Sequence, residues 1–172
     1  MKRKIALISI FLLLIGGITA VTVLAANRPS RSAGQFERDV LDRIRFQVKN
    51  TDFTLKKTGT EPEEFEITFT VTAEKTEPDF YAVIHCIDLE GLEYDSLIFQ
   101  SNSNENNVPS ELPLPTENGK TVPLQWTVRA FFTTENKAPI DFSLVIKYTS
   151  GITESVADTH ILKIPMHITF EA

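Results

Sequence analysis

From Ile44 onward, apolar residues fall on every second position in one segment after another. Ile44, Phe46 and Val48 alternate with Arg45, Gln47 and Lys49. Phe65, Ile67, Phe69 and Val71 alternate with Glu66, Thr68, Thr70 and Thr72. Leu124, Trp126, Val128 and Ala130 alternate with Gln125, Thr127 and Arg129. Successive side chains of a strand point to opposite faces, so a period of two buries one face and wets the other. A helix would repeat its apolar positions every three to four residues instead. Shorter runs complete the pattern: Phe53 and Leu55 after Asn50, then 92–100 after the Glu90-Gly91 turn, and 140–148 before the turn signal Ser150-Gly151. The stretch 80–89, FYAVIHCIDL, is apolar on both faces and predicts a central strand. The last run, 157–170, is interrupted by Pro165, which predicts an edge position or a bulge.

About seven such runs at short spacing predict an all-β fold, an antiparallel immunoglobulin-like β-sandwich over residues 44–172. A β-barrel is the alternative architecture. Trp126, the single tryptophan, is the expected central core aromatic. Cys86 is the only cysteine, so no disulfide forms within the chain and the core alone must hold the domain. Within a strand apolar on both faces, Cys86 is expected to be buried and inert.

Residues 1–26 follow a different rule. Lys2, Arg3 and Lys4 precede an uncharged stretch from Ile5 to Ala26. As a helix rising about 1.5 Å per residue, residues 5–26 are long enough to cross a hydrocarbon core about 30 Å thick, with the basic flank kept inside. This predicts a single N-terminal transmembrane helix with residues 27–172 extracytoplasmic. A cleaved signal peptide is the competing reading, with Val23-Leu24-Ala25 before Ala26 as the cleavage site and secretion as the result. Residues 27–43 read as a linker, with Phe36, Val40, Leu41 and Ile44 at the spacing of a short helix.

Charge narrows the partners. Residues 36–172 carry 12 basic and 23 acidic side chains, a formal charge of −11. An acidic domain repels phosphate backbones, so nucleic acid is a poor partner. The sequence has no Asn-x-Ser/Thr acceptor site, and with its lone cysteine this suits a bacterial surface protein.

The stretches LPLPTENGKTVPLQWTV and DFSLVIKYTSG resemble bacterial extracellular immunoglobulin-like and fibronectin-type-III-like modules over residues 110–151. Those modules show a turn glycine, an apolar-x-Trp-x-apolar strand and an alternating strand ending in Tyr and a Gly turn. The resemblance implies binding or spacing roles and no catalytic residues.

Between the runs lies Ser101–Pro123, rich in Asn and Pro. Its Leu112-Pro113-Leu114-Pro115-Thr116 is close to a cell-wall sorting motif, but Pro115 stands where that motif needs Thr. The loop is expected to cross between sheets, with Leu112 and Leu114 covering the core, Glu117–Lys120 forming a turn and the Asn-rich tip open to contact.

Catalytic and metal constellations are thin. His85 and Cys86 are neighbours on a strand and are expected to face opposite ways. His160 and His167 stand seven apart with no third ligand. Ser155, Asp158 and His160 have the residue types of a triad without its geometry. Glu61, Glu63, Glu64 and Glu66 lack the spacing of a calcium loop. The sequence thus predicts no catalytic, cofactor or metal residues. It points to a non-enzymatic binding module of the cell envelope whose partner is unnamed. The alternatives are an accessory subunit pairing through an edge strand, or a secreted hydrolase.

Overall fold

A computed structural model describes residues 35–38, 43–102 and 109–171. Its strands are β1 (Gln35–Arg38), β2 (Ile44–Lys49), β3 (Asp52–Lys56), β4 (Glu63–Lys75), β5 (Tyr81–Glu90), β6 (Ser96–Ser101), β7 (Leu112–Pro113), β8 (Thr116–Glu117), β9 (Lys120–Thr121), β10 (Leu124–Thr134), β11 (Ile140–Gly151) and β12 (Ala157–Glu171). One 3-10 turn, Glu154–Val156, precedes β12. The first sheet has the order β1-β2-β4-β10-β6 and the second β3-β12-β11-β5-β7, with β8 and β9 forming a small hairpin. All pairs are antiparallel except β3 with β12.

The two sheets share one core. Phe46, Phe69, Val71, Trp126, Val128 and Phe132 of the first sheet meet Ile84, Leu144, Ile146, Ile164, Met166 and Ile168 of the second. The Phe46 and Tyr148 rings, one from each sheet, lie 4.9 Å apart. This is a two-layer sandwich, and Trp126, at 0% exposure, is fully inside it. Its indole N–H finds no acceptor among the described residues.

Several sequence expectations are revised. Among the described residues there are two five-stranded sheets and a small hairpin rather than about seven strands. The short helix expected around Phe36 is not what residues 35–38 adopt, because they pair with β2 as a strand; residues 39–42 lie outside the described residues. The transmembrane segment 5–26 lies wholly outside them as well. Among the described residues no helix is long and apolar enough to cross a membrane.

β5 is not central. It lies second from the edge, and β7 covers only Val83 and Ile84. Its two-sided apolar look has another cause. Tyr148 opposes Ile84 while Lys147 opposes Cys86, so His85 is an extra, unopposed residue. This β-bulge shifts the phase: Ala82 and Ile84 point inward before it, Ile87 and Leu89 after it.

Pro165 behaves as its chemistry requires. His167 donates its N–H to Thr51, on the β3 side of β12. Two residues earlier, the Pro165 nitrogen faces the same side, where β3 has not yet begun. No ladder bond is lost. Asn50, at φ 65°, makes the break by which the chain leaves the first sheet as β2 and enters the second as β3.

Candidate functional site

A β-sheet edge presents unpaired N–H and C=O groups, and proteins commonly blunt it with charge, proline, bulges or brevity. Three edges here are blunted. β1 has only four residues. β3 carries Asp52 and Lys56. β7 has two residues and ends in Pro113. Beyond β7, the part of β5 left without a neighbour is blunted too, by the bulge at His85 and by Asp88. The Asp88 carboxylate accepts the Leu89 N–H at 2.8 Å and the Tyr94 hydroxyl at 2.7 Å. Accepting the hydroxyl's proton-bearing form holds the Tyr94 pKa above its ordinary value, with burial as the lesser cause.

Among the described residues, β6 has none of these devices between Ser96 and Ser101. Its six residues, SLIFQS, include no charge and no proline. Both its ends are clamped to β10. At one end the Asp95 N–H donates to the Phe131 carbonyl at 2.7 Å, and the Thr133 hydroxyl donates to the Asp95 carboxylate at 2.9 Å. At the other, the Asn102 N–H donates to the Gln125 carbonyl at 3.0 Å while the Asn102 side chain accepts the Gln125 N–H at 3.0 Å.

That last pair sets the phase of the ladder. In an antiparallel pair, hydrogen-bonded positions alternate. With Asn102 bonded to β10 and Trp126 opposite Ser101, Ile98 and Gln100 also turn their backbone groups toward β10. Leu97 and Phe99 turn theirs to the rim. Their side chains pack against the core, and Ile98, 45% exposed, stands on the outer face. On β10, opposite Ile98, the Arg129 guanidinium lies 5.1 Å over the Phe131 ring and grips Glu66 at 2.6 and 2.8 Å. The hydrogen bond from Arg129 holds the Glu66 carboxyl below its ordinary range, and Glu66 raises Arg129 in turn.

The second polar feature lies on the outer face of the other sheet. His85 Nδ1 is 2.9 Å from a Glu111 carboxylate oxygen, and His85 Nε2 is 2.6 Å from the Thr149 hydroxyl. Thr149 in turn lies 3.1 Å from Thr159. The bulge turns His85 and Cys86 to the same, outward side, which corrects the expectation that they face opposite ways. It also makes Cys86 half-buried rather than buried. Glu111 sits at φ 55°, a backbone conformation unfavourable for a side chain of its kind. Carboxylate, imidazole and hydroxyl stand in the order of an activated nucleophile. Acyl transfer also needs donors where the oxyanion develops. Among the described residues, His85 and Thr159 are the only polar partners of the Thr149 hydroxyl. The chain acts as a clamp that ties the segment entering β7 to β5 and β11.

The remaining sequence candidates do not converge. His160 stacks on Tyr148 at 5.1 Å, and His167 pairs with Asp141 on the opposite face of the sheet. Ser155 bonds Thr153. In the acidic run, Glu63 accepts the Gly59 N–H at 2.7 Å and faces the fully buried Lys57 ammonium at 3.7 Å, while Lys57 donates to the Glu61 carbonyl at 2.7 Å. The Gly59 bond and then Lys57 hold the Glu63 carboxyl down against partial desolvation. An open cleft of about 280 Å³ at one end of the sandwich is lined by Arg43, Phe80, Ile152, Val156 and His160. Its cation is already engaged, by Glu77 at 3.2 Å and by the Phe80 ring at 5.1 Å.

Of the proline-rich loop, residues 103–108 lie outside the described residues. The rest crosses from β6 in the first sheet to β7 in the second, with Leu114 in the core and Leu112 packed against it. Asn118 and Gly119, both at positive φ, close the β8–β9 hairpin. Sequence reasoning passed over β6 as a site, although its signal was present: six uncharged residues in an acidic domain.

No family model matches this chain, and no curated protein matches it. Among solved structures, the chain is similar to the GAE domain of yeast GGA1, at 10% identity and a TM-score of 0.37, over 77% of this chain and 99% of that one. It is likewise similar to the CooA pilin subunit of enterotoxigenic Escherichia coli, at 8% identity and a TM-score of 0.37, over 71% and 91%.

Proposed function

We propose that this chain is a non-enzymatic interaction module of immunoglobulin-like type. Held outside the cytoplasm by residues 5–26, it receives an extended strand of a partner protein along β6. The observation that carries this reading is the contrast among edges: β6 alone among the described ones is long, uncharged and rigidly clamped, with the Leu97 and Phe99 backbone groups at its rim. Strand addition uses such a rim for affinity and the alternate side chains for specificity. The crossing of the chain between sheets at Asn50, and the parallel pair of β3 with β12, support the immunoglobulin-like arrangement. The acidic charge of the domain directs it away from nucleic acid.

A photo-reactive amino acid at position 98 tests this in the native membrane. A matched chain carries the probe at position 161, where Ile161 is 63% exposed on the other sheet. Adducts at 98 and none at 161 are expected. Adducts at 161 alone, or none at either position, would remove the edge reading.

A further inference from the structure

We infer that the strand received by β6 is the β6 of a second copy of this chain, antiparallel about a two-fold axis at Ile98. This inference rests on the edge reading above and names its partner. Two observations lead to it. The first is the ladder phase. Leu97 and Phe99 carry the rim N–H and C=O groups, and Ile98 turns its own toward β10. Two such strands, related by a two-fold axis at Ile98, place Leu97 opposite Phe99 of the partner copy at hydrogen-bonded positions. Ile98 then meets Ile98 at a non-hydrogen-bonded position, where Cα atoms come as close as about 4.5 Å. A two-fold contact uses the same patch on both copies, so the strand must complement itself.

The second observation is that it does so only in this register. A slip by one residue would set inward side chains against outward ones. A slip by two in one direction sets Ile98 against Gln100 and Leu97 against Ser101; in the other direction it sets Ser96 against Ile98. Centred on Ile98, every apolar residue of the strand faces an apolar residue, and Ser96 faces Gln100. No like charges are opposed. The nearest cation on the outer face, Arg129, is already neutralised by Glu66 in each copy. The result joins the two first sheets into one continuous sheet and removes both open edges.

The test uses the full chain in a mild detergent. Light scattering should give the wild-type protein twice the mass of one chain, and Ile98→Lys should halve it while the folded Trp126 emission is kept. In a Cys86→Ser background, Ile98→Cys should form a disulfide-linked dimer under mild oxidation. Ser96→Cys and Gln100→Cys should each stay unlinked alone and link when mixed. A twofold mass with no linkage through position 98 places the contact elsewhere and overturns the inference. A single-chain mass, with the photo-adduct at position 98 joined to a different protein, overturns self-pairing and leaves the edge reading standing. A single-chain mass with no adduct at 98 overturns both.

Discussion

β5 and β6 both run past the end of any neighbour on one side, and they handle that exposure in opposite ways. In β5 the open stretch carries an extra residue at His85, and the Asp88 carboxylate accepts the Leu89 N–H. Among the described residues, β6 has no charged side chain and no bulge within Ser96–Ser101, and bonds to β10 hold it at each end. Both strands lie over the same core, so burial does not distinguish them. What separates them is whether the exposed backbone already has a partner.

Trp126 lies opposite Ser101 of β6 and is fully enclosed. Trp126→Ala should cost about 3–5 kcal/mol, read by urea denaturation, because the neighbours cannot refill so large a volume. Trp126→Phe should cost distinctly less, since a phenyl ring refills most of the volume and no satisfied hydrogen bond is lost. Equal losses would mean that the phenyl ring does not refill the site.

Asp88→Ala should cost about 1 kcal/mol by removing the acceptor of Leu89 and Tyr94. The Tyr94 hydroxyl pKa should fall back toward 10.0 in an ultraviolet titration, because the bond that raises it is gone. The variant should also gain a second open edge, visible as faster amide exchange at Leu89. Unchanged exchange would show that the side chain does not protect this edge.

At β6 the converse substitution acts on association and hardly on folding. Ile98 is half-exposed, so Ile98→Lys should alter stability by no more than about 0.5 kcal/mol, read by the same denaturation at dilutions where both proteins are single chains. A larger loss would show that Ile98 belongs to the core.

The smallest effect is on pH. The folded pKa of Glu66 lies below its ordinary 4.5, held there by Arg129. Its contribution to stability is therefore complete above pH 4.5 and fades as pH falls from there through the lowered folded value. Glu63 contributes with the same sign, through Gly59 and Lys57. Glu66→Gln should flatten the acid limb of a stability–pH curve without removing it. A limb as steep as that of the wild type would mean that the Glu66–Arg129 pair is not formed in solution.

Much of the sandwich was legible in the chain because period two is a local property. Phe65 to Val71 and Leu124 to Ala130 could face inward together only as strands, and they do. Trp126 was legible for the same reason. The bulge at His85 was not, because apolar residues on both faces of a strand read alike whether both faces are buried or the phase shifts midway. Cys86 was misplaced by that one residue. Glu111 and His85 stand 26 residues apart and Thr149 another 38 from Glu111, so no spacing rule joins them.

Local patterning alone establishes that the domain is all-β, that it holds together without a disulfide, and which face of each regularly alternating strand is wet. Alternation, cysteine count and charge are carried by the residues whatever their neighbours. Which strands are edges, where β5 bulges and which way the Leu97 and Phe99 backbone groups point emerge only once the sheets are assembled. Those depend on which strand lies beside which. Pairing is a non-local choice, settled by how two faces fit over one core, and each strand carries only its own half of that fit.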